Sequence, residues 1–161
     1  MNKKIKFITQ SAMIAALYVV LTYVFAPFSF GPVQVRLAEA LTVLPVFTPA
    51  AIPGLFIGCI LGNIVGGAIV WDIVFGSVAT LMGAVLTYLL RKKIIYLAVL
   101  PPILSNTLII PFILYYAYGF TESSVPFMML TVGAGEVLSC GVLGVLLYFA
   151  LRKVKSKIFK V

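Results

Sequence analysis

The residues best suited to chemistry in this chain are polar groups set inside long apolar runs. Glu136 stands about eleven residues into the run from Val125 to Leu151, hence ~16 Å deep at helical rise if that run crosses a bilayer. A carboxylate near mid-bilayer costs several kcal/mol unless it is paired, protonated or facing water, so it marks a candidate site. Asn106 reaches nearly the same depth in the preceding run. Arg36 and Glu39 lie one helical turn apart and are able to pair, either as part of a site or as a purely structural ion pair. Asn63 borders a glycine-lined stretch, where bonding across helices is its plainer role, and Asp72 opens a further run. Trp71, Tyr115, Tyr116 and Tyr118 add aromatic rings near one interface, where a belt is a commoner role than a stacking platform.

Other chemistry lacks its residues. The chain has no histidine, and Cys59 and Cys140 are isolated among apolar neighbours, so they read as small buried packing residues. Zinc has no ligand set, and no disulfide is expected. No GxxxxGK[ST] motif cradles a nucleotide phosphate, and a Ser–His nucleophile is impossible. An enzyme is disfavoured, no cofactor is called for, and a binding or transport subunit with no energy source of its own fits better.

The elements that must hold these groups follow from composition. Of 161 residues, 63% are hydrophobic and only 10% charged, against roughly 25% charged in a soluble domain. Apolar runs near ~20 residues, the length that crosses a hydrocarbon core, tile almost the whole chain. The expected fold is all-α and integral to the membrane, one domain over residues 1–161. Its six spans cover about 7–26, 34–47, 50–70, 72–90, 94–118 and 125–151, with a break over 28–32. The second is short and ends in a turn rich in proline (Pro45, Pro49 and Pro53). An uncleaved first span is preferred to a signal peptide, because its apolar stretch is long and no small-x-small site follows it.

Charge gives the orientation. Eleven of the twelve basic residues fall in three clusters: Lys3–Lys6, Arg91–Lys93 and Arg152–Lys160. With six spans all three lie on one side, which the positive-inside rule makes cytoplasmic, together with both termini. The basic residues flank apolar spans rather than lining one face, so the net charge of +8 does not point to nucleic acid. Gly54, Gly58, Gly62 and Gly66 recur every fourth residue and cut a groove for another helix, with intramolecular packing preferred to a homodimer seam. Asp72, Gly76, Ala79 and Gly83 form a second small-residue face. Ala12 and Ala16, with Ser11 and Ala15 beside them, form a third that could pack internally or dock another membrane protein.

The run Val33-Gln34-Val35-Arg36-Leu37-Ala38-Glu39-Ala40-Leu41-Thr42-Val43-Leu44-Pro45, continuing Phe47-Thr48-Pro49-Ala50-Ala51-Ile52-Pro53-Gly54-Leu55, resembles the QueT family. Gly62-Asn63, Asp72-Ile73-Val74-Phe75-Gly76-Ser77, Gly135-Glu136 and Ser139-Cys140 extend the likeness over nearly the whole chain. These are the S components, the substrate-binding membrane subunits, of energy-coupling factor (ECF) transporters for queuosine precursors. The resemblance implies a six-helix bundle in the plasma membrane that binds a 7-deazaguanine from outside: the 7-aminomethyl compound, the 7-cyano compound or queuine. It implies docking, through Ala12 and Ala16, on a transmembrane coupling protein powered by two cytoplasmic ATPases.

Under that resemblance, Glu136 with Asn106 would read the adjacent N–H groups of a guanine-like edge, since a carboxylate accepts two such donors at once. Glu39 or Asp72 would neutralise an aminomethyl cation, and Arg36 would orient Glu39 or meet a carbonyl. Trp71 or a tyrosine would stack on the ring, with Asn63 among the binding residues. The rival readings are an S component for another small vitamin, above all a thiamine-like cation, and a small proton-coupled carrier using Glu136.

Overall fold

The computed structural model describes residues 2–29 and 35–158, and among them every regular element is helical. In chain order these are α1 (Lys3–Val24), α2 (Ala26–Ser29), a 3-10 helix (Leu37–Val46), α3 (Ala51–Val65), α4 (Val70–Leu90) and α5 (Ile95–Ala98). They continue as α6 (Leu100–Tyr116), α7 (Val125–Glu136), a π-helical segment (Val137–Leu143), α8 (Gly144–Arg152) and α9 (Lys155–Ile158). Most of the expected break, with Phe30, Gly31 and Pro32, lies outside the described residues, as do Val33, Gln34 and Lys160.

Four helical stretches are long and apolar enough to cross a membrane: Lys3–Val24, Val70–Leu90, Ile95–Tyr116 and Val125–Arg152. The other two expected spans are shorter. One is a 3-10 helix of 10 residues and the other an α-helix of 15. At rises of ~2.0 and ~1.5 Å per residue these reach ~20 and ~22 Å. Pro45 lies inside the 3-10 helix next to its last residue, and Pro49 sits in the turn that follows. Gly66 caps α3, and Gly67, at φ 76, takes the left-handed conformation that turns the chain into α4.

The helix exteriors are apolar while four charged side chains lie inside, the reverse of a soluble protein. Met13, Leu17 and Val20 on α1, Val74 and Met82 on α4, and Leu104 and Leu108 on α6 are all exposed. Arg36, Glu39, Asp72 and Glu136 are buried. Helices satisfy their own backbone hydrogen bonds, so an all-helical bundle with this surface is a multi-pass membrane fold.

Small residues set the packing. A Cβ on Gly54 would lie 2.7 Å from the Ser11 carbonyl oxygen, and one on Gly58 2.8 Å from Tyr18 Cβ. The α3 groove is thus filled by α1 of the same chain, the intramolecular use expected for it. On α4, a Cβ on Gly83 would meet Pro102 Cα of α6 at 2.7 Å. Two apolar cores result. Ile14, Tyr18, Leu41, Leu44, Leu55 and Cys59 join α1, the 3-10 helix and α3, while Ile110, Leu114, Met128 and Val132 join α6 to α7.

The 3-10 helix is the hub, touching α1, α3, α4, α8 and the π segment. Three residues per turn stack every third side chain into a ridge. Ala38, Leu41 and Leu44 form the ridge that enters the first core, and Glu39, Thr42 and Pro45 form another, also buried. A ten-residue 3-10 run is unusual, since its hydrogen-bond geometry is poorer than that of the α-helix. Here it places Glu39 on a ridge facing the polar interior.

Candidate functional site

Arg36, Glu39, Asp72 and Glu136 are 5%, 0%, 0% and 2% exposed, so the structure draws all four into the protein. Glu39 is held by hydroxyls from two helices: Tyr18 of α1 donates to its Oε1, and Thr80 Oγ1 of α4 donates to the same oxygen at 3.2 Å. Its Oε2 is buried without a partner. Glu136 ends α7, and its Oε2 accepts from the Cys140 thiol at 3.2 Å, one turn on in the π segment. Cys140 also approaches the Glu39 carbonyl oxygen at 3.4 Å and Thr42 Oγ1 at 3.3 Å, tying the π segment to the 3-10 helix. One oxygen from each carboxylate and the Cys140 sulfur all lie within 4.8 Å of one another. Asn106, buried on α6, lies beside both carboxylates.

Arg36 makes its ion pair with Asp72, Nη2 to Oδ2 at 3.1 Å, rather than with the neighbouring Glu39. The sequence spacing assumed an α-helix containing both residues. Arg36 instead caps the 3-10 helix in extended conformation, which frees its side chain to reach α4. Asn63 Nδ2 donates to the Asp72 backbone carbonyl at 3.3 Å, fastening α3 to the start of α4. Tyr118 closes this end. Its hydroxyl donates to Asp72 Oδ2 at 3.2 Å and accepts from the Ile69 N–H at 3.3 Å, joining the α3–α4 and α6–α7 loops. Partial burial, reinforced by the adjacent Asp72 charge, pushes the Tyr118 phenol above its usual range, so it stays a donor.

The sequence-selected residues therefore converge, with one exception. Glu39, Glu136 and Asn106 meet in one group, and Arg36, Asp72 and Asn63 form its neighbour. Trp71 is not brought to either. It is 59% exposed and stacks on Phe75, with centroids 5.9 Å apart. Consecutive residues point about 100° apart round a helix, so turning Asp72 inward sends Trp71 outward. There it lines an apolar cleft of about 560 Å³ between α4 and α6. Ala12 and Ala16 are exposed on α1 and line a groove of about 710 Å³ with Pro53, Ile57 and Leu61 of α3.

Tyr18, Thr42 and Thr80 were not singled out by the sequence as site residues, and Cys140 was expected there only as a small buried packing residue. Tyr18 had a signal: Ser11, Ala15, Tyr18 and Thr22 recur at helical spacing as a buried stripe on α1. Cys140 is buried as expected, yet its packing partner is a carboxylate. The thiol's contacts are oxygen atoms of Glu39, Glu136 and Thr42, so this group is a buried polar cluster with two carboxylates and a thiol close together. Such a cluster, rich in acceptors, suits a ligand that brings N–H groups.

A family model described as QueT transporter matches residues 8–153. The protein named Queuosine precursor transporter QueT, from Lactococcus lactis subsp. cremoris (strain MG1363), is 35% identical over 78 residues. That alignment covers 47% of this chain and 45% of the relative, so it spans less than half of the relative's length. No solved structure matches.

Proposed function

The chain belongs to the QueT transporter family, and on that premise we propose that it is the substrate-binding membrane subunit of an ECF-type importer for a queuosine precursor. The observation that carries the reading is the buried acceptor group: Glu39 with an unpartnered Oε2, Glu136 within 4.8 Å, and the Asn106 amide beside them. A 7-deazaguanine presents adjacent N–H donors along its guanine-like edge. A carboxylate accepts two at once in a strong, directional arrangement. Glu136 and Asn106 read that edge, and Glu39 faces an aminomethyl substituent where the ligand has one. Arg36, Asp72 and Asn63 hold the neighbouring α3–α4 corner.

The same reading has six crossings in the plasma membrane with both termini cytoplasmic. The 3-10 helix and α3 act as short spans supported by their neighbours. The hydrogen bond from Gln10 Nε2 to the Ile158 carbonyl, at 3.2 Å, supports it by bringing the first and third basic clusters to one end. Ligand enters from the opposite end, past the Tyr118 contact. Ala12 and Ala16 then meet the coupling protein, whose two ATPases drive release inside. Their exposure beside an apolar groove supports that role.

Purified protein in detergent tests the central claim, with deazaguanines, thiamine and folate compared by thermal shift and titration. Deazaguanines alone are expected to stabilise it. Glu136→Gln is expected to weaken binding about tenfold or more, the loss of one charge-assisted hydrogen bond or more. Affinity within about twofold of the parent would remove Glu136 from the site. In vesicles, uptake that needs partner ATPases supports the importer, and uptake driven by a proton gradient alone would replace it with a carrier.

A further inference from the structure

The two carboxylates at the centre of the site bring oxygens within 4.8 Å of each other in a buried space. Two like charges so close and so little hydrated do not both ionise without a cation between them. The charged and titratable groups facing them are few. Tyr18 arrives from α1, Cys59 from α3 and Cys140 from the π segment, while α4 and α6 contribute the neutral Thr80 and Asn106. Arg36, the cation nearby, makes a 3.1 Å ion pair with Asp72.

The hydrogen bonds divide unequally. Glu39 Oε1 receives two hydroxyl donors, whereas the donor to Glu136 Oε2 is the weaker thiol of Cys140. Independently of charge, Glu39 Oε2 is a buried acceptor with no donor. The space between the carboxylates thus calls for a positively charged donor: a proton in the empty protein, or an ammonium group brought by a ligand.

We propose that Glu39 and Glu136 share one proton in the empty protein and release it to bulk water when a ligand bearing an ammonium group takes its place. This rests on the deazaguanine reading of the site and adds a rule to it. An aminomethyl deazaguanine exchanges its cation for the proton, and the buried charge stays constant. A neutral cyano deazaguanine binds with the proton retained. Binding of the cationic ligand therefore strengthens as pH rises, about tenfold per unit while the empty pair is protonated, and binding of the neutral ligand does not.

Calorimetry of the whole chain in detergent provides the test, with 7-aminomethyl- and 7-cyano-7-deazaguanine titrated in phosphate and in Tris. Between about pH 6 and 8 a primary aliphatic amine keeps its own proton, so any proton released comes from the protein. About one proton per aminomethyl ligand and about none per cyano ligand is the expected result, and Glu136→Gln is expected to abolish the release. The comparison of two ligands on the parent protein stands even if that variant fails to fold. Aminomethyl binding without proton release, or equal release with both ligands, overturns the exchange and leaves the importer reading standing. Binding of neither ligand overturns both.

Discussion

At the scale of single residues, the Arg36–Asp72 pair is where stability is most exposed to a single change. Two charges almost wholly removed from solvent gain from each other only while both are present. Asp72→Asn is expected to cost ~3–5 kcal/mol of stability, whereas the double change Arg36→Met with Asp72→Leu recovers much of the loss. Unfolding in denaturing detergent measures both, and an Asp72→Asn protein as stable as the parent would deny the pair a structural role. These residues were legible from sequence because an ionisable group in an apolar run stands out against its neighbours. Tyr18, Thr80 and Cys140 were not, because moderately polar residues are common in such runs and only helix rotation decides which face inward. The pairing of Arg36 was misread for a local reason: spacing along a presumed α-helix does not foresee an extended residue at its start.

At the scale of elements, close approach depends on residues that lack a side chain. Gly58→Ala sets a methyl 2.8 Å from Tyr18 Cβ and 3.1 Å from the Ala15 backbone, where nothing can rotate away. The change is expected to cost ~1–3 kcal/mol, the usual range for overpacking, and to displace Tyr18 from Glu39. Loss of thermal stability together with weaker ligand binding would be the signature, and an unchanged melting temperature would show that α1 is free to move off α3. The four long helices were readable from hydropathy, and the glycine period announced a tight helix contact. The 3-10 and π segments were not readable, because both replace the α-helix for reasons of packing against distant elements.

At the scale of the whole molecule, if the buried carboxylates are the binding site proposed above, a ligand reaches them only after the bundle parts. On that proposal Tyr118, bridging two loops to Asp72, is the contact that yields at the end opposite the basic clusters. Both cysteines of the chain are buried, Cys59 in the first apolar core and Cys140 against Glu136. The protein therefore carries its own chemical clock. An uncharged maleimide should ignore both thiols in the shut bundle and modify Cys140 at a rate set by how often the pocket opens. Bound ligand should slow Cys140, and Tyr118→Phe should quicken it. Mass spectrometry of the two peptides would time the opening without a single engineered label.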